Sequence, residues 1–476
     1  MTDRRQFLQT SFMAAATLSM GIPAASANDP PIAAGDGAKA SVDPDSRAVS
    51  NSGSASVPRF FAEAAREIPL AEDCDVIVCG GGPAGIAAAV QAARAGAKVR
   101  LFELQGALGG IWTSGMLAYI FDFDKSEIGW EIIHRLDALN ARRCESTRNF
   151  VYEPEYMKFV CEEMCAEAGV KVTLQAPVTA VYRDAAGKKI ETILTESKSG
   201  RQAWRAPVFV DATGDGDLSA LAGCGFEMGV TPEGFGQPAT LNALIVVRDS
   251  NALAKFVSND PAMWVPGGHS DSFRAFLAEI HRAGVTPSYF NPTLFKVHEN
   301  LLLMMVNHEY QLRVDDAQAI SDATIRARRE ILQMAAALNR LGGPWEGIRV
   351  AATAEQIGHR DGRRIHGRYT VTREDVERGA VFEDGVTTSR FGIDIHAINF
   401  KTNQKETIGR GGTKFRPFQI PLRALQARDV ENLFMAGRCI SGDFIAHASY
   451  RVTGSAIAMG EAVGKAAAEM AKQCRK

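Results

Sequence analysis

The sequence has no Cys-x-x-Cys pair, although it contains 8 cysteines. Cys161 and Cys165 lie one helical turn apart, with no histidine or second cysteine pair near them. The spacing that zinc and iron–sulfur sites need is therefore missing, and we expect no metal site. Cysteines that stand in apolar runs are predicted to be small buried side chains.

The chain also has no excess of charge of either sign. Lys and Arg number 53 and Asp and Glu number 55, which gives a net charge of −2. This balance leaves no electrostatic footprint for nucleic acid or for an anionic membrane surface. Hydrophobic residues are 46% and charged residues 23% of the 476 positions, as in an ordinary globular protein. At roughly 150 residues per domain, this length has room for about three domain-sized units.

Outside the N-terminus, long apolar runs are missing as well. Residues 11–25 are small and apolar, but they are fewer than the roughly 20 residues that span a membrane. Arg4 and Arg5 precede this stretch, and Ala25-Ser26-Ala27 follows it as an A-x-A cleavage site. We expect residues 1–27 to be a twin-arginine signal peptide, with a short membrane anchor as the alternative. The expected location is periplasmic or otherwise extracytoplasmic, without an integral membrane span.

Residues 28–68 are predicted to be a disordered linker. Up to residue 58 this segment is rich in Ala, Ser, Gly, Asp and Pro and has almost no large apolar side chain. Such a composition cannot bury enough surface to order the chain. The folded part is therefore expected to begin near residue 69.

A nucleotide-binding pattern begins at residue 75. Residues 75–79 form a short apolar run typical of a buried parallel strand, and the turn GGGPAG follows at residues 80–85. Residues 86–95 indicate a helix, and residues 98–103 indicate a second strand that ends in an acid. A GxGxxG turn in this context is typical of a Rossmann-like dinucleotide site.

The three glycines of the GxGxxG pattern have separate predicted roles. Gly80 allows the tight turn, Gly82 lets the backbone approach a pyrophosphate, and Gly85 lets helix and strand pack closely. Glu103 lies 18 residues after Gly85, where a carboxylate accepts hydrogen bonds from a ribose diol. An acid at this position disfavours a 2′-phosphate, so NADP is not expected.

Three further glycine-rich segments bear on the choice between FAD and NAD. They are Gly109-Gly110, residues 208–217 and residues 432–439. A helix rich in Ala and Gly is predicted over residues 455–472. Gly460 and Gly464 are four apart on it, so another element is expected to pack closely against it.

These blocks together resemble a known family. The order GGGPAG, LGG, DATGDGD and NLFMAGR…RVTGSAIAMGEAVGKAAA is similar to the FAD-dependent oxidoreductases of the glutathione-reductase-like superfamily. The likeness covers roughly residues 72–472 and points to the branch distantly related to fumarate reductase and succinate dehydrogenase flavoproteins. IGHRDGRRIHGRYTVTREDV, GIDIHA and FQIPLRAL also resemble a subfamily of FAD-dependent oxidoreductases that has no assigned substrate. The resemblance implies the fold and FAD as cofactor, but not the substrate.

The resemblance also implies which residues contact FAD. They are Gly80, Gly82, Pro83, Ala84, Gly85, Glu103, Gly109, Gly110, Asp215, Gly437, Arg438 and Gly454. Among them, Glu103 would hold the adenosine ribose and Asp215 would help to close the pyrophosphate site. Gly437, Arg438 and Gly454 would face the ribityl chain and the isoalloxazine. Relatives with covalent flavin carry a histidine near the glycine doublet, and none stands there in this sequence, so non-covalent FAD is expected.

The predicted fold class is α/β, with a Rossmann-like FAD-binding domain and an inserted α+β substrate or cap domain. The boundaries are 69–230 for the first part, 231–345 for the insert, and 346–476 for the rest of the cap and the C-terminal part of the FAD-binding domain. In the insert, strands are predicted at 241–247 and 301–306 and a helix at 317–341. Only one GxGxxG stands between a strand and a helix, which gives no sign of a separate NAD(P)H domain. Electrons would therefore come from the substrate or be exchanged with an external electron acceptor or donor.

Four residues are candidate catalytic groups. Arg451 and His447 precede the helix expected to face the flavin, and in fumarate-reductase-like relatives an arginine there binds the substrate carboxylate. A structural arginine that hydrogen-bonds loop carbonyls is the alternative for Arg451. Arg360 and Arg364 belong to the segment HRDGRR, which is either an anion-binding or proton-transfer loop over the flavin or a solvated, salt-bridged loop.

The sequence predicts an exported FAD-dependent oxidoreductase. It would transfer a hydride between flavin N5 and a small polar or anionic substrate. The alternatives are a flavin-dependent isomerase without net redox change and a non-catalytic periplasmic FAD-containing electron carrier. The arginine-rich segment and the middle domain argue against the carrier, because a carrier needs no small-molecule pocket.

Overall fold

The structure is a computed structural model that describes residues 61, 63–143, 146–259, 270–404 and 408–475. The predicted signal peptide and most of the predicted linker lie outside the described residues. None of the helices in the described part combines the length and apolar character that a membrane crossing requires.

A five-stranded parallel sheet forms the centre of the nucleotide-binding part. In order, its strands are Leu433–Met435, Val208–Asp211, Val76–Cys79, Val99–Phe102 and Lys171–Thr173. The second and third of these are buried along their whole length, which is why their sequences are continuous apolar runs. The strands predicted at 75–79 and 98–103 are confirmed. The turns at the carboxyl ends of these strands lie along one edge of the sheet, where doubly wound folds bind ligands.

Two helices, Pro83–Arg94 and Thr453–Cys474, pack against each other beside this sheet. A Cβ at Gly460 would lie 2.1 Å from the carbonyl oxygen of Ala84. One at Gly464 would lie 2.3 Å from a carbonyl oxygen one turn further along the same helix. The absence of side chains at these two positions lets the backbones touch, and the predicted close packing of the C-terminal helix is confirmed.

We expect Gly464→Ala to lower the free energy of unfolding by about 1–3 kcal/mol, because the added methyl group forces the two helices apart. Thermal unfolding at a fixed FAD concentration measures the effect. Gly392→Ala is the matched control, since a Cβ at Gly392 meets no atom within 4 Å. Equal melting temperatures for the two variants would contradict the packing described above.

An antiparallel sheet forms the centre of the inserted part. In order, its strands are Thr293–His298, Leu301–Met305, Ala243–Val246 and Arg349–Thr353. The helices Ala317–Leu341 and Ser270–Arg282 pack against it and help form a second hydrophobic core. Asp316 caps the longer helix by accepting a hydrogen bond from the Ala319 amide at 2.9 Å. The two strands predicted from the sequence are confirmed, and the long helix has the predicted bounds.

Smaller elements surround these two sheets. A four-stranded sheet contains Leu70–Ala71, Gly200–Trp204, Ile190–Ser197 and Val178–Arg183, and a three-stranded one contains Tyr119–Ile120, Phe150–Tyr152 and Arg142–Arg143. Two-stranded pairs are Phe226–Met228 with Arg363–Ile365, Gly385–Ser389 with Phe418–Pro421, and Ile395–His396 with Ile408–Gly409. Further α-helices are Glu127–Ala138, Pro154–Glu167, Asp217–Leu221, Arg373–Arg378, Phe400–Asn403 and Phe444–Tyr450. Short 3-10 helices are Gly110–Trp112, Asn251–Phe256, Gly343–Trp345 and Leu422–Ala424.

The cysteines follow the prediction from the apolar runs. Those at positions 74, 79, 161, 165, 224 and 439 are buried, and Cys474 is exposed. Burial raises the pKa of the Cys439 thiol well above its usual range. That side chain therefore behaves as a small apolar group of the core.

Candidate active site

The turn after the strand Val76–Cys79 contains four glycines, and the three of the GxGxxG pattern have different surroundings. Gly80 has a φ of +98°, and a Cβ there would lie 2.3 Å from the carbonyl oxygen of Ala212. A Cβ at Gly85 would lie 1.8 Å from the carbonyl oxygen of Gly80. A Cβ at Gly82 would meet no atom within 4 Å. Packing therefore requires the outer two glycines, whereas the middle one faces a space that a pyrophosphate can fill at the helix N-terminus.

Glu103 is fixed beneath this turn. Its Oε2 accepts a hydrogen bond from the Gly81 amide at 2.5 Å, and its Oε1 accepts one from the Gln105 amide at 2.7 Å. Burial raises the pKa of the Glu103 carboxyl, while these backbone hydrogen bonds oppose the rise. Each oxygen keeps a lone pair for a further donor such as a ribose hydroxyl.

The glycine doublet lies directly against the same turn. Gly109 and Gly110 have φ values of +102° and +52°, and the second begins a 3-10 helix. A Cβ at Gly110 would lie 3.0 Å from the Cα of Gly82. No side chain therefore separates the two loops, and their backbones border one space.

Residues from the C-terminal part complete this region. Gly437 has a φ of +91°, and a Cβ there would lie 3.2 Å from that of Ala84. Pro83 precedes Ala84 at the first helical position, where its missing N–H costs no hydrogen bond. The Arg438 guanidinium forms an ion pair with Asp215, and its Nε is buried without a hydrogen-bond partner among the described residues. An unsatisfied buried donor beside an open space is consistent with a bound polar ligand.

Gly454 lies in the first turn of the helix Thr453–Cys474, where another part of the backbone approaches it closely. A Cβ there would lie 2.1 Å from the carbonyl oxygen of Asp122. The glycine therefore lets the start of the helix Thr453–Cys474 pack against the chain at residues 121–122. Its neighbour Thr453 lines the cavity described next.

A cavity of about 440 Å³ extends from this region into the inserted part. Ile111 and Arg438 line it at the nucleotide-binding side, and Thr240, Thr293 and Met305 line it at the insert. Its volume lies within the roughly 300–1,000 Å³ that small-molecule sites occupy. The cavity therefore joins the two parts of the fold.

The segment that begins at Gly358 reaches this cavity because it is paired on one side and packed on the other. The amides of Gly358 and Thr240 exchange hydrogen bonds of 2.8 and 3.0 Å with each other's carbonyl oxygens. A Cβ at Gly358 would lie 2.8 Å from the Cδ1 of Ile111. His359 and Arg360 follow and line the cavity wall.

His359 is a half-buried histidine on this wall. Burial lowers its pKa below the ordinary range, Asp215 opposes this shift, and Arg438 adds to it. The imidazole is therefore neutral near pH 7 and can accept a proton. Its neighbour Arg360 donates from Nη1 to the carbonyl oxygen of Pro238 and to the Thr240 hydroxyl, each at 2.8 Å.

Arg451 enters the cavity from the end of the helix Phe444–Tyr450. Its Nη2 donates to the backbone carbonyl and to the Oδ2 of Asp394, each at 2.9 Å. Burial alone would raise the pKa of the Asp394 carboxyl, but His396, Arg451 and Arg360 outweigh it and hold that pKa below its usual range. Arg451 therefore has features of both alternatives. It bonds a loop carbonyl, as a structural arginine would, and it also lines the cavity, as a substrate-binding arginine would.

Sequence reasoning missed the residues that surround Arg451. His396 lines the cavity with Nε2 3.3 Å from the Oδ2 of Asp394, and burial, with the nearby Arg360, lowers its pKa to about 4. Gln237 accepts from the His396 amide at 2.9 Å and from Arg451 at 3.4 Å. The only available signal was the segment GIDIHA, which contains Asp394 and His396 but carries no motif of its own.

The structure does not bring His447 and Arg364 to the cavity. His447 is fully buried, with Nδ1 3.0 Å from the Oδ1 of Asp361. Arg364 is 3% exposed and donates to the backbone carbonyls of Gly442 and Gly229. Arg363 donates to the carbonyl of Asp215. Of the three arginines in the segment HRDGRR, all within the described residues, Arg360 lines the cavity and the other two do not.

No group of three or more His, Cys, Asp or Glu suited to a metal occurs among the described residues. The open space at Gly82, the fixed carboxylate of Glu103 and the unsatisfied Nε of Arg438 instead suit a dinucleotide. Fold and site therefore define a Rossmann-like dinucleotide-binding protein with a substrate cavity beside the nucleotide.

A family model described as FAD dependent oxidoreductase matches residues 75–475. The chain belongs to this family, and FAD is its cofactor. When bound, FAD supplies two-electron redox chemistry. The glycine turn, Glu103, the glycine doublet and Arg438 are the residues of this chain that fit it.

The individual proteins to which the chain is similar match it over a short segment or at low sequence identity. A thiamine thiazole synthase of Desulfosudis oleivorans is 37% identical over 84 residues, which are 17% of this chain and 29% of that protein. A geranylgeranyl bacteriochlorophyll reductase-like protein of Thermoplasma acidophilum is 14% identical, with a TM-score of 0.42 over 85% of this chain and 79% of that one. A flavin-dependent brominase is also 14% identical, with a TM-score of 0.41 over 84% of this chain and 80% of that one. These likenesses assign no substrate.

Proposed function

We propose that this FAD-dependent oxidoreductase transfers a hydride between the flavin and a small organic substrate bound in the 440 Å³ cavity. The observation that supports this most is that one cavity wall contains nucleotide-side residues and titratable groups together. Ile111 and Arg438 belong to the nucleotide side, and His359, Arg360 and Arg451 lie beside them. An electron carrier would have no use for such a cavity.

In this proposal His359 moves the proton that accompanies the hydride. A substrate C–H that loses a hydride must also lose a proton from its oxygen or nitrogen, and a neutral imidazole accepts it. The charges of Asp215 and Arg438 shift the pKa of His359 in opposite directions, Asp215 upwards and Arg438 downwards. Because the protein holds the base in place, no base has to diffuse in from solvent.

Arg451 has an orienting role in this proposal. Asp394 holds its guanidinium through Nη2, and its Nε is buried without a partner among the residues described. A fixed cation of this kind can orient an anionic group or stabilise negative charge that develops in the transition state.

The direct test is an anaerobic screen of the FAD-loaded protein against fractionated metabolite pools. The proposal predicts that at least one compound bleaches the flavin absorbance and is recovered in oxidised form, or that one restores the absorbance of the reduced protein. Conversion of a compound into its isomer without net change in the flavin would favour the isomerase. Flavin reduced only by protein partners or electrode mediators would favour the carrier.

The proposal includes export through the twin-arginine route, which carries folded proteins and would suit one that loads its cofactor first. We expect replacement of both Arg4 and Arg5 by Lys to leave the FAD-loaded protein in the cytoplasm. Cell fractionation with flavin fluorescence measures this, and Arg66→Lys is the control. Unchanged export would show that the arginine pair is not the signal.

A further inference from the structure

The cavity that the proposed function uses has two chemically different halves. One half is built from aromatic rings. Tyr119 stacks on Phe295 with ring centroids 4.3 Å apart, and Phe121 lies 4.7 Å from Tyr119 and 5.1 Å from Phe391. All four side chains line the cavity. A wall of rings in contact offers an apolar surface that a small, strongly hydrated substrate would leave unused.

The other half carries three arginines but only two carboxylates. Arg438 forms an ion pair with Asp215, and Arg451 forms one with Asp394. Arg360 makes no ion pair with a carboxylate in the described part of the chain, and its hydrogen-bond partners there are a carbonyl oxygen and a hydroxyl. The cavity wall therefore has one positive charge left over.

The neighbouring titratable groups do not cancel this charge. His359 and His396 line the cavity, and burial lowers the pKa of both. Behind the wall, Asp361 and Arg364 carry opposite charges. Burial and the nearby Arg451 lower the pKa of Arg360 only to about 10, so it remains a cation at pH 7.

The fork of Arg360 is also free to bind. Nη1 makes both of its hydrogen bonds to protein, and neither Nε nor Nη2 has a partner among the described residues. The side chain lines the cavity, so these donors have space in front of them. Two parallel N–H donors of a guanidinium match the two oxygens of a carboxylate.

We propose, on the basis of the function proposed above, that the substrate is an amphipathic monocarboxylate whose apolar body lies against the rings of Tyr119, Phe121, Phe295 and Phe391 and whose carboxylate binds Arg360. One surplus cation neutralises one anion, so a dicarboxylate would bring a second charge without a partner. The proposal narrows the small polar or anionic substrate expected from the sequence to an acid with an apolar body.

The test is ligand binding to the FAD-loaded protein, which does not require turnover. The probes are 3-phenylpropionate, its neutral amide 3-phenylpropionamide, propionate and succinate, titrated by calorimetry and by perturbation of the flavin spectrum. The proposal predicts that 3-phenylpropionate binds at least about 10-fold more tightly than each of the others, since a hydrogen bond to a charged group is worth about 1.5–3 kcal/mol. Equal binding of the amide, tighter binding of succinate, or no binding of 3-phenylpropionate would overturn it.

Variants assign the preference to residues. Arg360→Met should bring the affinities for acid and amide to within about 2-fold, and Phe391→Leu should weaken both aromatic probes by a similar factor. Arg340→Met is the control, because Arg340 is an exposed arginine on the helix Ala317–Leu341. Retained discrimination in Arg360→Met overturns the proposal. If that variant loses FAD, the four-probe comparison on the unaltered protein decides.

The outcome is separable from that of the proposed function. A protein that shows the predicted binding order but whose flavin no compound reduces or reoxidises would retain the ligand class and lose the oxidoreductase proposal. A protein whose flavin is bleached by a neutral or dianionic compound, and not by aromatic monocarboxylates, would retain the reaction and lose the ligand class.

Discussion

Replacing His359 by glutamine should slow flavin reduction by a factor of about 10²–10⁴ and leave FAD bound, because the proton acceptor is lost while the side-chain volume is nearly kept. His359 is the half-buried histidine on the wall that also contains Arg438 and Ile111. Rapid mixing of the FAD-loaded variant with its substrate measures the rate, and absorbance measures the occupancy. His134→Gln is the control, since His134 is an exposed histidine on the helix Glu127–Ala138.

The pH profile separates a proton acceptor from a structural histidine. A base must be neutral to act, so kcat/KM of the unaltered protein should fall as the pH drops through the pKa of His359. Burial lowers that pKa, so the fall should lie below about pH 6.5, the ordinary value for histidine. His359→Gln should remove this limb. A mutant with an unchanged rate and profile would exclude His359 as the base.

Gly82→Val should abolish FAD loading. A Cβ at Gly82 meets no protein atom within 4 Å, so the variant can fold, but the branched side chain occupies the space that the pyrophosphate needs. The ratio of flavin to protein after purification measures this, with circular dichroism to verify the fold. Gly392→Val, at another position with no atom within 4 Å, is the control. A fully loaded Gly82→Val protein would show that the glycine turn does not hold FAD.

The same samples test how FAD is held. We predict that the unaltered protein releases all of its flavin on denaturation as intact FAD, since no histidine stands beside the Gly109-Gly110 doublet where covalent relatives carry one. Flavin that stays on the denatured chain would contradict non-covalent binding.

The nucleotide side could be predicted from the sequence because its determinants are local. Gly80, Gly82 and Gly85 are separated by only a few residues, and each backbone requirement falls on a residue without a side chain. The strand before the turn is four consecutive buried apolar residues, and the helix after it is rich in alanine. The position of the acid Glu103 can be predicted because one strand–helix–strand unit has a characteristic length.

The substrate side could not be predicted in the same way, because its residues meet only in the folded chain. Arg360, Asp394 and Arg451 come from three separate segments, and no spacing joins them. His447 and Arg451 are one helical turn apart, which suggests a common face. Arg451, the C-cap residue of the helix Phe444–Tyr450, nevertheless lines the cavity, whereas His447 is buried against Asp361.

Hydride transfer in the cavity is the central claim, and an isotope effect tests it most directly. The first compound that bleaches the flavin should be prepared with deuterium at the carbon that becomes oxidised, and its anaerobic reduction rate compared with that of the unlabelled compound. We predict a slower rate for the labelled compound and recovery of an oxidised product lacking that deuterium. Equal rates with the deuterium retained in the product would contradict hydride transfer from that carbon.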